Sequence, residues 1–322
     1  YDSNLVRWFE NTLRPIGGWR KKSATQLTGF CRGLLAWRVN NGTRYVAAGT
    51  QSKLYVMSED SVIKDITPVS FTTGRANAVS TTGYGYSTYG TSSYGIARPD
   101  TGSVLSATTW SLDTYGEYLV ACSDTDGKLY EWQLGFSTPT VAAAITNAPT
   151  GCAALLVTSE RIIFALGAGG NGRLVSWCDQ ENNTVWTAAS TNQAGDFELS
   201  TVGTLKAGKR VRGVNILFTD VDVHIATYIG LPFIYSFEKA GSGCGVISSQ
   251  SIAAIDTAAM WMSKSGFWQY DGYVKPMTCD VSDYVFNNIN YNQASKVYAV
   301  HNSMFGEITW FYPSSASNEN DS

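Results

Sequence analysis

Apolar and polar positions alternate along most of this chain in short runs, and the runs come in pairs. The recurring unit is a β-branched or aromatic segment, a polar turn rich in Gly, Asp or Ser, and a second segment ending in aromatics. Six such hairpins line up: RYVAAGTQSKLYVM (44–57), EYLVACSDTDGKLYEW (117–132), RIIFALGAGGNGRLVSW (161–177), VHIATYIGLPFIYSF (223–237), AAMWMSKSGFWQYDG (258–272) and KVYAVHNSMFGEITWFY (296–312). The first two match best, each reading Tyr-x-x-Ala, a turn, then Lys-Leu-Tyr. Successive starts are 73, 44, 62, 35 and 38 residues apart. A hairpin buries one face only, so its neighbours must cover it. Irregular repetition at about 40 residues or its multiples fits the blades of a β-propeller. We therefore expect an all-β chain, a β-propeller of antiparallel hairpin blades with long inserted loops. A β-sandwich with long loops is the alternative. Radial repetition also protects strand edges, which suits a chain with few prolines and few edge charges.

Helical signals are few. SDYVFNNI (282–289) predicts two helical turns, with Ser282 as N-cap and Val285 and Ile289 on one face. NLVRWFENTL near the start predicts one more short helix or strand. The expected organisation is an N-terminal segment, residues 1–30, packing on the propeller or on a neighbouring subunit, then a propeller domain over 31–322 with insertions at about 72–108 and 178–210. Two segments interrupt the hairpins. In TTGYGYSTYGTSSYG (81–95), Gly permits an irregular backbone while Tyr84, Tyr86, Tyr89 and Tyr94 supply rigid amphipathic area. That composition suits a docking loop, or a long loop packed on its own propeller. The second, CDQENNTVWTAASTNQAGDFEL (178–199), is polar with Trp186 and Phe197 as anchors. Both are expected at subunit or partner contacts. Residues 314–322 read as a loop or a cut edge, and the start at Tyr1 suggests that a short leader is missing.

Composition narrows the classes. Hydrophobic residues make up 44%, enough for a sizeable core, and charged residues only 15%, against the usual ~25%. With 31 Gly, 8 Pro and 13% aromatics, the chain is neither a coiled coil nor disordered. Its 23 basic and 26 acidic residues give a net charge of -3, so it is not built to wrap nucleic acid by neutralising phosphates. Cys31, Cys122, Cys152, Cys178, Cys244 and Cys279 are widely spaced. They read as reduced, mostly buried thiols of a protein assembled in a reducing cytosol. No apolar run approaches the ~18 residues of a membrane span, and no signal peptide is visible.

The chemical motifs mostly dissolve on inspection. Gly167–Gly172 reads G-A-G-G-N-G, but a strand pattern, RLVSW, follows where a dinucleotide site needs a helix. A glycine-rich hairpin turn is expected there. Gly203–Arg210 reads G-T-L-K-A-G-K-R, a P-loop without its final hydroxyl residue, again followed by a strand. Lys206, Lys209, Arg210 and Arg212 form the densest basic cluster, which could touch a phosphate backbone or an acidic partner, or could simply be a solvated face. Asp124 and Asp126, like Asp220 and Asp222, sit in turn patterns without the further carboxylates of a calcium loop. His224 and His301 lie inside strand patterns and read as structural. No catalytic set, metal ligand set or cofactor-binding motif emerges, and no cofactor is expected. Sequence alone leaves a carboxylate pair for glycan cleavage open.

Five stretches carry a resemblance. YDSNLVRW with RPIGGW (14–19), the block 98–132 containing WSLDTYGEYLVA, and NAPTGCAALLVTSERIIFALGAGG (147–170) come first. WCDQENNTVWTAASTNQAGDFEL (177–199) continues the third. GCGVISSQSIAAIDTAAMWMSKSGFWQYDGYVKPMTCDVSDYVF (243–286) and GEITWFYPS (306–314) complete the series. In this order they resemble the tail nozzle (tail tube) proteins of short-tailed bacteriophages, over nearly the whole chain. The family normally continues with further strands beyond the point where this chain stops. The resemblance implies a non-enzymatic virion protein, assembled in the bacterial host cytoplasm into a homohexameric ring at the distal end of the phage tail. Its partners would be further copies of itself, the tail adaptor, fibre or spike proteins, and genomic double-stranded DNA that passes without specific binding or membrane insertion. A carbohydrate-binding or glycan-cleaving propeller in host recognition is the alternative function, and a scaffold propeller of a cellular complex a third.

Overall fold

The computed structural model describes residues 6–18, 20–80, 104–135 and 140–321. Tyr84, Tyr86, Tyr89 and Tyr94 lie outside the described residues. The chain is all-β, and five four-stranded antiparallel blades are arranged as a β-propeller. An N-terminal hairpin pairs β1 (Val6–Phe9) with β2 (Thr12–Pro15). The first blade is β3 (Cys31–Arg38), β4 (Arg44–Thr50), β5 (Leu54–Met57) and β6 (Ile63–Asp65). A two-residue pair, β7 (Val79–Ser80) and β8 (Val104–Leu105), follows. The second blade is β9 (Trp110–Tyr115), β10 (Tyr118–Ser123), β11 (Leu129–Trp132) and β12 (Ala143–Ala144). The third is β13 (Ala154–Val157), β14 (Ile163–Leu166), β15 (Leu174–Trp177) and β16 (Gly195–Glu198). The fourth is β17 (Leu205–Val211), β18 (Val214–Thr219), β19 (Asp222–Gly230) and β20 (Ile234–Ser242). The fifth is β21 (Ile252–Ala254), β22 (Ala259–Ser263), β23 (Gly266–Tyr270) and β24 (Val274–Met277). Helix α1 (Ser282–Asn288) leads to a last hairpin, β25 (Tyr298–Asn302) and β26 (Glu307–Phe311).

All six sequence hairpins are real, but they do not occupy one position in the blade. Residues 44–57, 117–132, 161–177 and 258–272 form second and third strands, whereas 223–237 forms the third and fourth. The true repeat is set by the first strands, β3, β9, β13, β17, β21 and β25, which neighbour one another around the axis. Their starts are 79, 44, 51, 47 and 46 residues apart, so only the first step, which holds the long insertion, departs from a regular period. The expected insertion at 178–210 is shorter in fact. Residues 195–198 and 205–211 are the outer strand of the third blade and the inner strand of the fourth. Their polar sequence hides this because only every second residue of a strand is buried.

Four buried clusters fill the gaps between successive blades. Leu54 and Val56 meet Trp110 and Tyr130 between the first two, and Phe218 meets Trp261 between the fourth and fifth. Indole N–H groups are satisfied by backbone carbonyls, as buried tryptophans require: Trp261 Nε1 donates to Cys244 O at 2.7 Å and Trp177 Nε1 to Gln193 O at 2.8 Å. The expected hairpin turn at Gly167–Gly172 is present. Gly167, Gly169 and Gly170 all have positive φ, which lets β14 reverse tightly into β15. Helix α1 buries Ile289 beyond its end and packs Val285 on the same cluster. Ser282 is its first helical residue rather than its cap. Val281 holds the cap position with no side-chain bond.

The two ends of the described chain meet. Arg7 forms a bidentate pair with Glu307, at 2.7 and 2.6 Å, and lies over the ring of Phe305, which Phe9 meets edge-on. The N-terminal hairpin thus packs on the last hairpin of the same chain. Glu319 bridges Arg32 at 3.2 Å and the buried Lys296 at 3.1 Å, joining residues 313–321 to the first blade.

Candidate functional site

The inner strands enclose an axial cavity of about 220 Å³, to which β3, β9, β13, β17 and β21 all contribute. Its lining mixes Leu34, Leu35, Leu112 and Leu156 with the polar Ser111, Asp113, Ser249 and Gln250. β17 brings Lys206, Lys209 and Arg210 to the axis. Lys206 also lines a second cavity of about 240 Å³ at one mouth, and Arg210 a wider one of about 600 Å³ at the opposite mouth. The three cations are therefore strung along the axis. Arg212, expected with them, lies beyond the end of β17 in the turn to β18. There its guanidinium donates to Asp271 O at 2.5 Å, toward the fifth blade.

The axial cavity carries one carboxylate against these three cations, that of Asp113, so its lining bears a formal surplus of two positive charges (3 − 1). Asp113 is well satisfied. It accepts from Thr114 N at 2.8 Å, from Val157 N at 2.9 Å and from Arg210 at 3.3 Å. Lys209 is half-buried, and its ammonium hydrogen-bonds to no described residue. Burial pushes its ammonium below its ordinary pKa. The Asp113 charge works against that shift and the Arg210 charge with it.

The other candidates lie away from the axial cavity or in turns, each with its own surroundings. Asp222 and His224 are buried in the fourth blade. Asp222 accepts from Thr201 at 2.8 Å, Thr219 at 2.6 Å and Lys239 at 2.6 Å, and His224 Nε2 lies 3.2 Å from it. Burial alone would raise this carboxyl, but the Lys239 ammonium and the two hydroxyls outweigh burial and hold it below the usual range. Burial holds His224 below its ordinary value in spite of Asp222. Asp220 accepts from Thr204 N and Asp124 from Thr109, each tying a turn to the preceding chain. Asp126 binds Tyr130 and accepts from Thr72 N. His301 is exposed on β25. All six cysteines are free; four are buried, Cys279 is half-buried and Cys31 exposed. Trp186 is buried in its own blade and donates to Asn183 O, whereas Phe197 is 42% exposed and stacks on Phe237 at 4.5 Å. Among the described residues no group of three or more His, Cys, Asp or Glu is placed to hold a metal. No described helix is long and apolar enough to cross a membrane.

Sequence reasoning found the basic residues and missed what they share. The signal was the alternation around Gly208, whose missing side chain lets β17 pack against Leu156 and Leu166 of the third blade. Among the described residues many aromatics are spent in the blade cores, whereas Trp8, Phe233, Tyr273 and Tyr284 are exposed away from the axial cavity. Trp110, the aromatic residue of the axial wall, is fully buried and stacks on Phe71 at 5.2 Å.

No family model matches the chain, and no curated protein matches it in sequence. Among solved structures it is similar to virginiamycin B lyase from Staphylococcus aureus, at 7% identity over 87% of this chain and 77% of that one, with a TM-score of 0.47. It is also similar to the extracellular domain of a hybrid two component system from B. thetaiotaomicron, at 9% identity over 89% of this chain and 39% of that one, TM-score 0.42. A third is the AfRom2 CNH domain, at 13% identity over 63% and 64%, TM-score 0.40. Likeness at this level says nothing about chemistry.

Proposed function

We propose that this chain is a subunit of a phage tail nozzle, a non-catalytic propeller that assembles with copies of itself into a ring. What supports the reading is the ordered series of sequence blocks that resemble that family. Several blocks fall on units of the fold: the second, 98–132, holds the first three strands of the second blade, 147–170 and 177–199 hold most of the third blade, 243–286 contains the fifth, and 306–314 contains the last strand.

Exposed apolar projections support a life in an assembly. The β19–β20 hairpin presents Ile229, Leu231 and Phe233 at 53, 73 and 74% exposure, and the N-terminal hairpin presents Trp8 at 74%. Large apolar side chains clustered on a projecting tip are typical of contact surfaces. The axial cavity is no path for a genome. At about 220 Å³ it is far too small for a duplex, whose major groove alone is about 12 Å wide. On this reading DNA passes between propellers of a chain whose overall net charge of -3 gives phosphates little to hold. The adaptor and the fibres or spikes would dock on other faces of the ring.

Mass measurement and electron microscopy of the purified protein test the proposal. The expected result is a ring of six copies of the 34.9 kDa chain, with Leu231→Asp combined with Phe233→Asp shifting it to smaller species. A persistent monomer that is also absent from virions overturns it.

A further inference from the structure

We infer that the axial cavity is a binding site for a small amphiphilic anion, a carboxylate or phosphate monoester with a short apolar body. The anionic end would sit at Lys209 and Arg210, and the body against Leu34. This inference does not depend on the nozzle reading.

Three observations lead to it. First, the cavity is real space at the centre of the fold, about 220 Å³, framed by the inner strands of all five blades. Strand edges hold its shape, so a ligand meets a preformed pocket and little ordering cost. Second, its charge is unbalanced. Desolvated cations are costly unless paired, and in a confined low-dielectric space their field is weakly screened. Asp113 already accepts two backbone N–H groups and takes up Arg210, which leaves the Lys209 ammonium with no hydrogen-bonding partner among the described residues. An anion between Lys209 and Arg210 would supply charge-assisted bonds that the protein itself does not make.

Third, part of the lining is apolar and bare. Leu34 is 58% exposed although it belongs to an inner strand. Leu35, Leu112 and the buried Leu156 also contribute to the lining. A bare inorganic ion would leave this surface wet, whereas a short alkyl chain would cover it and gain from burial. The two mouths, marked by Lys206 and Arg210, place a cation at each entrance to the axis.

Tryptophan fluorescence and thermal shift can both follow binding, since Trp110 lines the cavity. The probes are hexanoate, hexyl phosphate and inorganic phosphate, with the intact chain. Saturable binding of hexanoate or hexyl phosphate is expected. It should be at least tenfold tighter than that of inorganic phosphate, weakened at least tenfold by Lys209→Met, and unchanged by Arg212→Gln. Should Lys209→Met fail to fold, Arg210→Gln and Leu34→Ala, at more exposed side chains, are each expected to weaken binding several-fold. No saturable binding of either organic probe, or equal binding by the cavity variants and the wild type, overturns the inference. Equal binding of inorganic phosphate overturns its amphiphilic part.

Discussion

Trp110 lies across Gly49, its indole N–H donating to Thr50 O at 2.7 Å and its ring filling the space a side chain at position 49 would need. Gly33 makes the same allowance on the neighbouring strand, where an added Cβ would come within 2.7 Å of the Trp110 Cβ. The first and second blades are thus joined by one large side chain set into two missing ones. Gly49→Ala forces the ring out of a fully buried seat, and overpacking of this kind costs about 1–3 kcal/mol. A urea titration should show the midpoint falling with little change in slope. Trp110→Ala, which empties the seat, should cost about 3–5 kcal/mol.

Asp222 is the hub of the fourth blade, and its removal strands several groups at once. In Asp222→Ala the Thr201 and Thr219 hydroxyls and Lys239 lose their shared acceptor. Breaking a buried pair by removing one partner costs about 3–5 kcal/mol, and the lower end is expected because Lys239 is 43% exposed. Lys239→Met should cost less, since the threonines and His224 keep their partner. Denaturant unfolding of the two variants checks the order.

The same network makes stability fall on the acid side in two stages. His224 and Asp222 both have pKa values held below their ordinary ones, so the unfolded chain binds more protons. The His224 contribution is complete above about pH 6.5 and is lost as pH falls through its folded value. The Asp222 contribution is complete above about pH 3.9 and is lost below that in the same way. Denaturation midpoints from pH 8 to pH 5 should decline, and His224→Gln should flatten that part of the curve. A wild-type profile that rises toward pH 5, with His224→Gln parallel to it, would count against this assignment.

The thiols should divide by burial. Burial pushes Cys152 and Cys178 up to about 12 and Cys244 up to about 11, and holds Cys122 well above the ordinary thiol range. Thiolate is the reactive form, so these four should resist a disulfide reagent at pH 8 in the folded protein. At most Cys31 and Cys279 should label, with all six reacting after unfolding in denaturant.

Much of the fold was legible along the chain because a strand reports itself locally. Its alternation, its aromatic ends and its Asp-Gly or Gly-Gly turns need no distant partner to be read. Residues 44–57 and 117–132 announce hairpins for that reason, and they are hairpins. The blade phase was not legible in the same way. Whether a hairpin supplies the middle or the outer strands depends on the strands it pairs with, and 223–237 differs there from its look-alikes.

The candidate site shows the same division more sharply. Lys206, Lys209, Arg210 and Arg212 form one cluster in sequence. The end of β17 at Val211 separates them, leaving three on the axis and one at the rim. Trp186 reads as an anchor of a polar segment, and it is buried in the core of its own blade, which only the fold of that segment reveals. What the sequence by itself determined was the all-β class, the hairpins and their turns, and the low charge, all of which follow from neighbouring residues. Only the tertiary structure decided which strands are innermost. With that came Leu34 and Lys209 lining one axial cavity, since radial packing, not sequence distance, sets which side chains share a space.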